Sequence, residues 1–157
     1  MLKIPKNLSL SLSLIISALF FVACIAGLFI LPALTEMLIN TPDNIGIRDS
    51  ITDIGRALVL VVAYCIVLTF ILADVFLFAI LNRVKKGQVF TSTTVALIRG
   101  VSWCCFLLCP FFAFLGVYFQ LAFIVSFLAI FLGLCLRVVK NAIEEATEIK
   151  AENDLTV

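Results

Sequence analysis

The chain has 157 residues, 11 Lys+Arg against 10 Asp+Glu, a net charge of +1, no His and a mean hydropathy of +1.25. With 64% hydrophobic and only 13% charged residues, it is too apolar for a water-soluble globule and far too apolar for intrinsic disorder. Balanced charge leaves no footprint for direct nucleic-acid binding, and the lack of His removes the usual general base and the commonest metal ligand.

About 20 helical residues cross roughly 30 Å of hydrocarbon. Asn7 to Thr35 carries no charge and is dense in Leu, Ile, Phe and Ala, which predicts a first span over about 8–34. Lys3 and Lys6 mimic the basic start of a signal peptide, but the apolar run continues far beyond a normal signal, so a retained helix is expected. Val22-Ala23-Cys24 faintly resembles a lipoprotein cleavage box, and the apolar sequence after Cys24 argues against lipidation. Ser9, Ser13 and Ser17 share one helix face, and Ala23 with Gly27 has small-xxx-small spacing. Both features favour close helix packing and leave a homo-oligomer open.

The next segment, Thr35 to Arg56, reads as a short loop with turn residues Thr41-Pro42-Asp43-Asn44 and Gly46. Ser50 followed by Asp53 resembles a capping box near the start of the second helix. Ala57 to Leu81 is the second span, interrupted only by Asp74. A basic turn follows, in which Arg83, Lys85 and Lys86 are expected to touch anionic lipid headgroups, and Thr91 and Ser92 are N-cap candidates for a third helix. Gly100 to Leu136 has no formal charge over 37 residues. That is too long for one crossing, and Gly116 and Gln120 are its only turn signals, so it divides into spans of about 95–116 and 120–139. Pro110 is expected to kink the third helix.

Four spans place Lys3, Lys6, Arg83, Lys85, Lys86, Arg137, Lys140 and Lys150 on one side, against Arg48 and Arg56 on the other. The positive-inside rule then puts both termini in the cytoplasm, whereas three spans would export Arg137 and Lys140. Beyond the fourth span, Val139, Ala142, Ile143, Ala146 and Ile149 recur at helical spacing, with Glu144, Glu145, Glu148 and Glu152 between them. The last helix is therefore expected to continue into the cytosol as an acidic amphipathic tail over 140–157. Either it is a solubilising stem that pairs with the basic 82–86 turn, or it docks a partner protein.

Asp74 is the one acid within a span, and an ionised carboxylate in lipid is costly. Arg99 lies at a similar depth on the next helix, so the two are expected to pair. Such a pair would fix helix register or form a proton- or ion-coupled site, unless Arg99 simply snorkels. The six cysteines, Cys24, Cys65, Cys104, Cys105, Cys109 and Cys135, all fall in apolar spans and read as small packing residues. A membrane thiol redox protein is the remaining enzymatic alternative. No metal set, cofactor motif or nucleophile motif stands out.

The ending Glu152-Asn153-Asp154-Leu155-Thr156-Val157 is similar to the ending of domain-of-unknown-function family 2975, small four-helix bacterial membrane proteins that finish in Glu-Asn-Asp-Leu-Thr-Ile. Lys86-Gly87-Gln88-Val89-Phe90-Thr91, with Arg99 and Trp103 after it, resembles the family's Gly-x-x-Phe-Thr segment before an Arg-bearing helix. Thr94 stands where the family has Asn, and Val157 where it has Ile. The resemblance implies no known activity. It does imply a cytosolic partner, because genes of this family neighbour small helix-turn-helix regulators, and an ending from Asp154 to Val157 suits recognition by such a partner.

The expectation is thus an all-α, four-helix transmembrane bundle, one integral domain over 1–157, in the bacterial inner membrane. Its expected role is non-enzymatic and regulatory or scaffolding, with residues Glu144, Glu145, Glu148 and Glu152–Val157 offered to a transcription regulator. A small transporter or oligomeric channel using Asp74 is the alternative.

Overall fold

The computed structural model describes residues 6–40 and 52–155. They form four helices: α1 (Lys6–Asn40), α2 (Asp53–Lys85), α3 (Ser92–Gly116) and α4 (Gln120–Leu155). Each is long and apolar enough to cross a membrane. Residues 35–40, expected in a loop, extend α1, and the sequence reaches Pro42 only two residues beyond its end. The cap of α2 is Thr52, whose side chain accepts from the Gly55 N–H at 3.3 Å; Ser50 lies outside the described residues. At α3 the cap is Thr91, as its hydroxyl chemistry predicts. The turn after Gly116 spans only three residues before Gln120.

Chain neighbours pack antiparallel. Ser17 faces Asp74 between α1 and α2, Phe70 faces Phe112 between α2 and α3, and Ser102 faces Gly133 between α3 and α4. Close backbone approach among the described residues is confined to these successive pairs. The core lies where Ile66, Leu108 and Ala129 meet from α2, α3 and α4, with Phe70, Phe111, Phe112 and Leu115 around it. α1 stands outside this core and leans on α2 alone. Only 6% of its most apolar stretch is buried, against 28% in α3. Residues such as Phe29, 83% exposed, therefore face a solvent that must itself be apolar.

The α3–α4 hairpin is joined by hydroxyl-to-carbonyl bonds. Ser102 donates to the Gly133 carbonyl at 3.0 Å, and Ser126 donates to the Cys109 carbonyl at 3.0 Å. Pro110 sits within α3, which nevertheless remains one helical segment. Its missing N–H removes one ladder bond, a loss that neighbouring helices and hydroxyls make tolerable in a membrane. Gly133 lets the hairpin close, since a Cβ there would come within 3.2 Å of the Phe106 ring. By contrast, Gly27 has nothing within 4 Å of a Cβ, and Ala23 is exposed. The small-xxx-small pair of α1 thus makes no tight contact within the described chain.

Candidate functional site

Two helix faces meet at Asp74. On α1, Ser13, Ser17 and Phe20 recur at helical spacing, and on α2 so do Phe70, Asp74, Leu77 and Leu81. Antiparallel packing sets Ser17 against Asp74 and Phe20 against Phe70. The Ser17 hydroxyl donates to Asp74 Oδ1 at 2.8 Å, and the two rings meet edge to face with centroids 6.2 Å apart. Asp74 is 5% exposed and Ser17 4%. One hydroxyl is the partner a buried carboxylate finds here, and among the described residues no Lys or Arg lies within ion-pairing distance of it.

The expected Asp74–Arg99 pair does not form. Arg99 is largely exposed and reaches Glu144 of α4 at 3.4 Å. The reason is rotation about the helix axis. Phe76 of α2 covers Gly100 of α3, and Asp74, two residues back at about 100° per residue, points to nearly the opposite side of α2.

A groove of about 510 Å³ lies beside the Ser17–Asp74 bond. α2 forms its floor, while α1 and Val101 of α3 flank it, because α1 and α3 do not close on one another. Apart from Ser13, Ser17 and Asp74, its lining is apolar: Ile16, Phe20, Phe70, Ala73, Leu77, Leu81 and Val101.

The charged end of α4 is a second site. Helix α4 continues unbroken past Arg137 to Leu155, which places Glu144, Glu145, Glu148, Glu152, Asn153, Asp154 and Leu155 on it; Thr156 and Val157 lie outside the described residues. Glu144 is paired both with Lys140 one turn away and with Arg99. The Lys140 hydrogen bond and charge, with Arg99 adding to them, hold the Glu144 carboxyl below the usual glutamate range despite some burial. Glu144 therefore links the outer part of α4 to α3; in the 82–86 turn Lys85 and Lys86 are exposed and Arg83 is half-buried. Two turns nearer the core than Glu144, Arg137 lies 5.5 Å from the centroids of both the Trp103 and Phe106 rings. Farther out, Glu145, Glu148 and Glu152 are exposed, as are Val139, Ala142 and Ile149 of the apolar stripe.

All six cysteines are free thiols. Cys104 is buried, while Cys109 lies 3.4 Å from the Ser126 hydroxyl at the α3–α4 contact. Among the described residues no group of three Cys, Asp or Glu side chains converges as a metal-ligand set.

Four apolar helices of membrane-crossing length, packed in sequence and sharing a buried carboxylate between two of them, define a small multi-pass membrane protein. The chain belongs to the DUF2975 family, described as protein of unknown function, whose model matches residues 3–157. No curated protein and no solved structure matches it.

Proposed function

We propose that this is a non-enzymatic regulatory or scaffold protein of the bacterial inner membrane, with both ends of the chain cytoplasmic. It offers the outer part of α4 to a cytosolic partner, such as a helix-turn-helix regulator. One observation carries this reading: α4, from Gln120 to Leu155, is a single helix of 36 residues, about 54 Å long, that makes the core contact at Ala129 and continues unbroken to Leu155. A continuous helix transmits displacement or rotation along its axis, so a change of packing in the membrane reaches the tail. The tail itself combines exposed acids with uncovered apolar positions, a pattern suited to a partner with a basic-rimmed apolar groove. Basic residues gathered at the same end of the bundle support the cytoplasmic assignment.

Co-purification from membranes tests the reading. The full-length chain is expected to retain a cytosolic partner that a chain lacking residues 141–157 loses. An unchanged set of partners would sink it.

A second reading, a small transporter or oligomeric channel, draws on Asp74. The carboxylate is not neutralised by Arg99 and borders a groove. Solute flux in proteoliposomes that vanishes in Asp74→Asn, with folding intact, would support it over the first.

A further inference from the structure

We propose that the groove between α1 and α3 binds an amphiphilic organic cation, an ammonium or phosphonium centre carrying apolar substituents. This rests on the groove alone and holds whether or not the tail recruits a partner.

The polar end of the groove selects charge. Asp74, 95% removed from solvent, has a single hydroxyl donor in Ser17, and among the described residues no cationic side chain lies within pairing distance. A carboxylate at this depth, surrounded by lipid and apolar side chains, strongly favours an occupant of opposite charge. The rest of the lining selects apolar character. Ile16, Phe70, Ala73 and Leu77 present no hydrogen-bonding side chain, and the Phe20 and Phe70 rings, packed edge to face, add aromatic surface to the lining.

The same features exclude other occupants. A hard metal ion takes six or more oxygen ligands, and this groove supplies one carboxylate with two hydroxyls. A zwitterionic phospholipid would bring a phosphate as well as an amine, and no Lys or Arg lines the groove to receive it. Its volume of about 510 Å³ falls within the roughly 300–1,000 Å³ typical of small-molecule sites.

Tetraphenylphosphonium is the probe, titrated calorimetrically against the full-length protein in detergent micelles. The wild type is expected to bind saturably, one probe per chain, and tetraphenylborate, of the same shape and opposite charge, is expected not to compete. Asp74→Asn should weaken binding by at least about thirtyfold, the scale for truncating one partner of a buried charge pair. Asp74→Glu should retain it. Ala73→Phe fills the groove with the carboxylate left in place and should also abolish binding, which keeps the test decisive if Asp74→Asn does not fold. No saturable binding to the wild type would overturn the proposal, as would equal binding to Asp74→Asn or Ala73→Phe. So would a disulfide-linked dimer of Ser13→Cys that excludes the probe, since a second copy would then occupy the groove.

Discussion

Ser17 of α1 donates its hydroxyl to Asp74 of α2 across 2.8 Å, and each residue lies eleven positions in from the matching helix end, Lys6 for α1 and Lys85 for α2. This bond is a polar link between α1 and α2, the one helix whose backbone α1 approaches closely among the described residues. It lies on the side of α2 nearly opposite the contact that Phe76 makes with Gly100 of α3.

Ser17→Ala removes that donor and is expected to destabilise the protein by about 1–2 kcal/mol, the upper part of the range for hydrogen bonds between membrane helices. Ser13→Ala is the control. Its hydroxyl bonds back to the Ser9 carbonyl within α1 at 3.1 Å, so its loss should be nearly neutral. Unfolding by titration with a denaturing detergent measures both.

The pairing of Arg99 with Glu144 should show as a distance. Spin labels at Ala96 of α3 and Glu148 of α4 are expected to keep their separation from neutral pH down through mild acid. Glu144 has a lowered pKa in the folded state, so its contribution is present above the ordinary carboxyl range and is lost as pH falls through that lowered value. The separation should therefore increase only once the pH has fallen below the ordinary glutamate range. Arg99→Gln should increase it at every pH.

At the start of α3, the Thr91 hydroxyl accepts the Thr94 N–H at 3.3 Å, and Thr94 Oγ1 donates to the Gln88 carbonyl at 3.1 Å. Thr91→Ala is expected to cost about 1 kcal/mol, as for other N-caps, while Thr91→Ser should be close to neutral. Thr94→Val keeps the shape and loses the hydroxyl. Because Thr94 is 1% exposed, the Gln88 carbonyl loses a buried donor, and a penalty of similar size, about 1 kcal/mol, is expected in the same assay.

In the α3–α4 hairpin, Ser102→Ala and Ser126→Ala each remove one interhelical bond and should each cost about 0.5–1 kcal/mol. Their contact points on α4 are seven residues, hence about 10 Å, apart, so the double variant should show the sum. Gly133→Leu should cost more than either, because its side chain must enter space held by Phe106 and Cys105.

Much of this architecture is legible in the chain. The turn between α3 and α4 follows from Gly116 and Gln120 inside an otherwise unbroken apolar run, and the extension of α4 follows from its helical stripe through Ile149. Thr91 as a cap follows from a hydroxyl placed just before an apolar segment. The partnership of Ser17 and Asp74 had a readable signal as well. The polar face of Ser9, Ser13 and Ser17 was visible, and counting inward from the basic ends would have matched Ser17 to Asp74. Arg99 offered a more obvious opposite charge and drew the pairing to the wrong side of α2.

Helix number and the approximate place of each span are local properties: apolar run length and turn residues depend on near neighbours along the chain, so they could be derived from composition and spacing, whereas α1 runs on through residues 35–40 that read as a loop. The rotation of each helix about its axis is different in kind. It is decided by which side chains interdigitate, as when Phe76 covers Gly100 and thereby turns Asp74 toward Ser17. The groove between α1 and α3 is likewise a property of the packed array, created because α1 rests on α2 alone. Packing acts between residues far apart in the chain, and only the folded arrangement reveals which of several equal-depth partners meet.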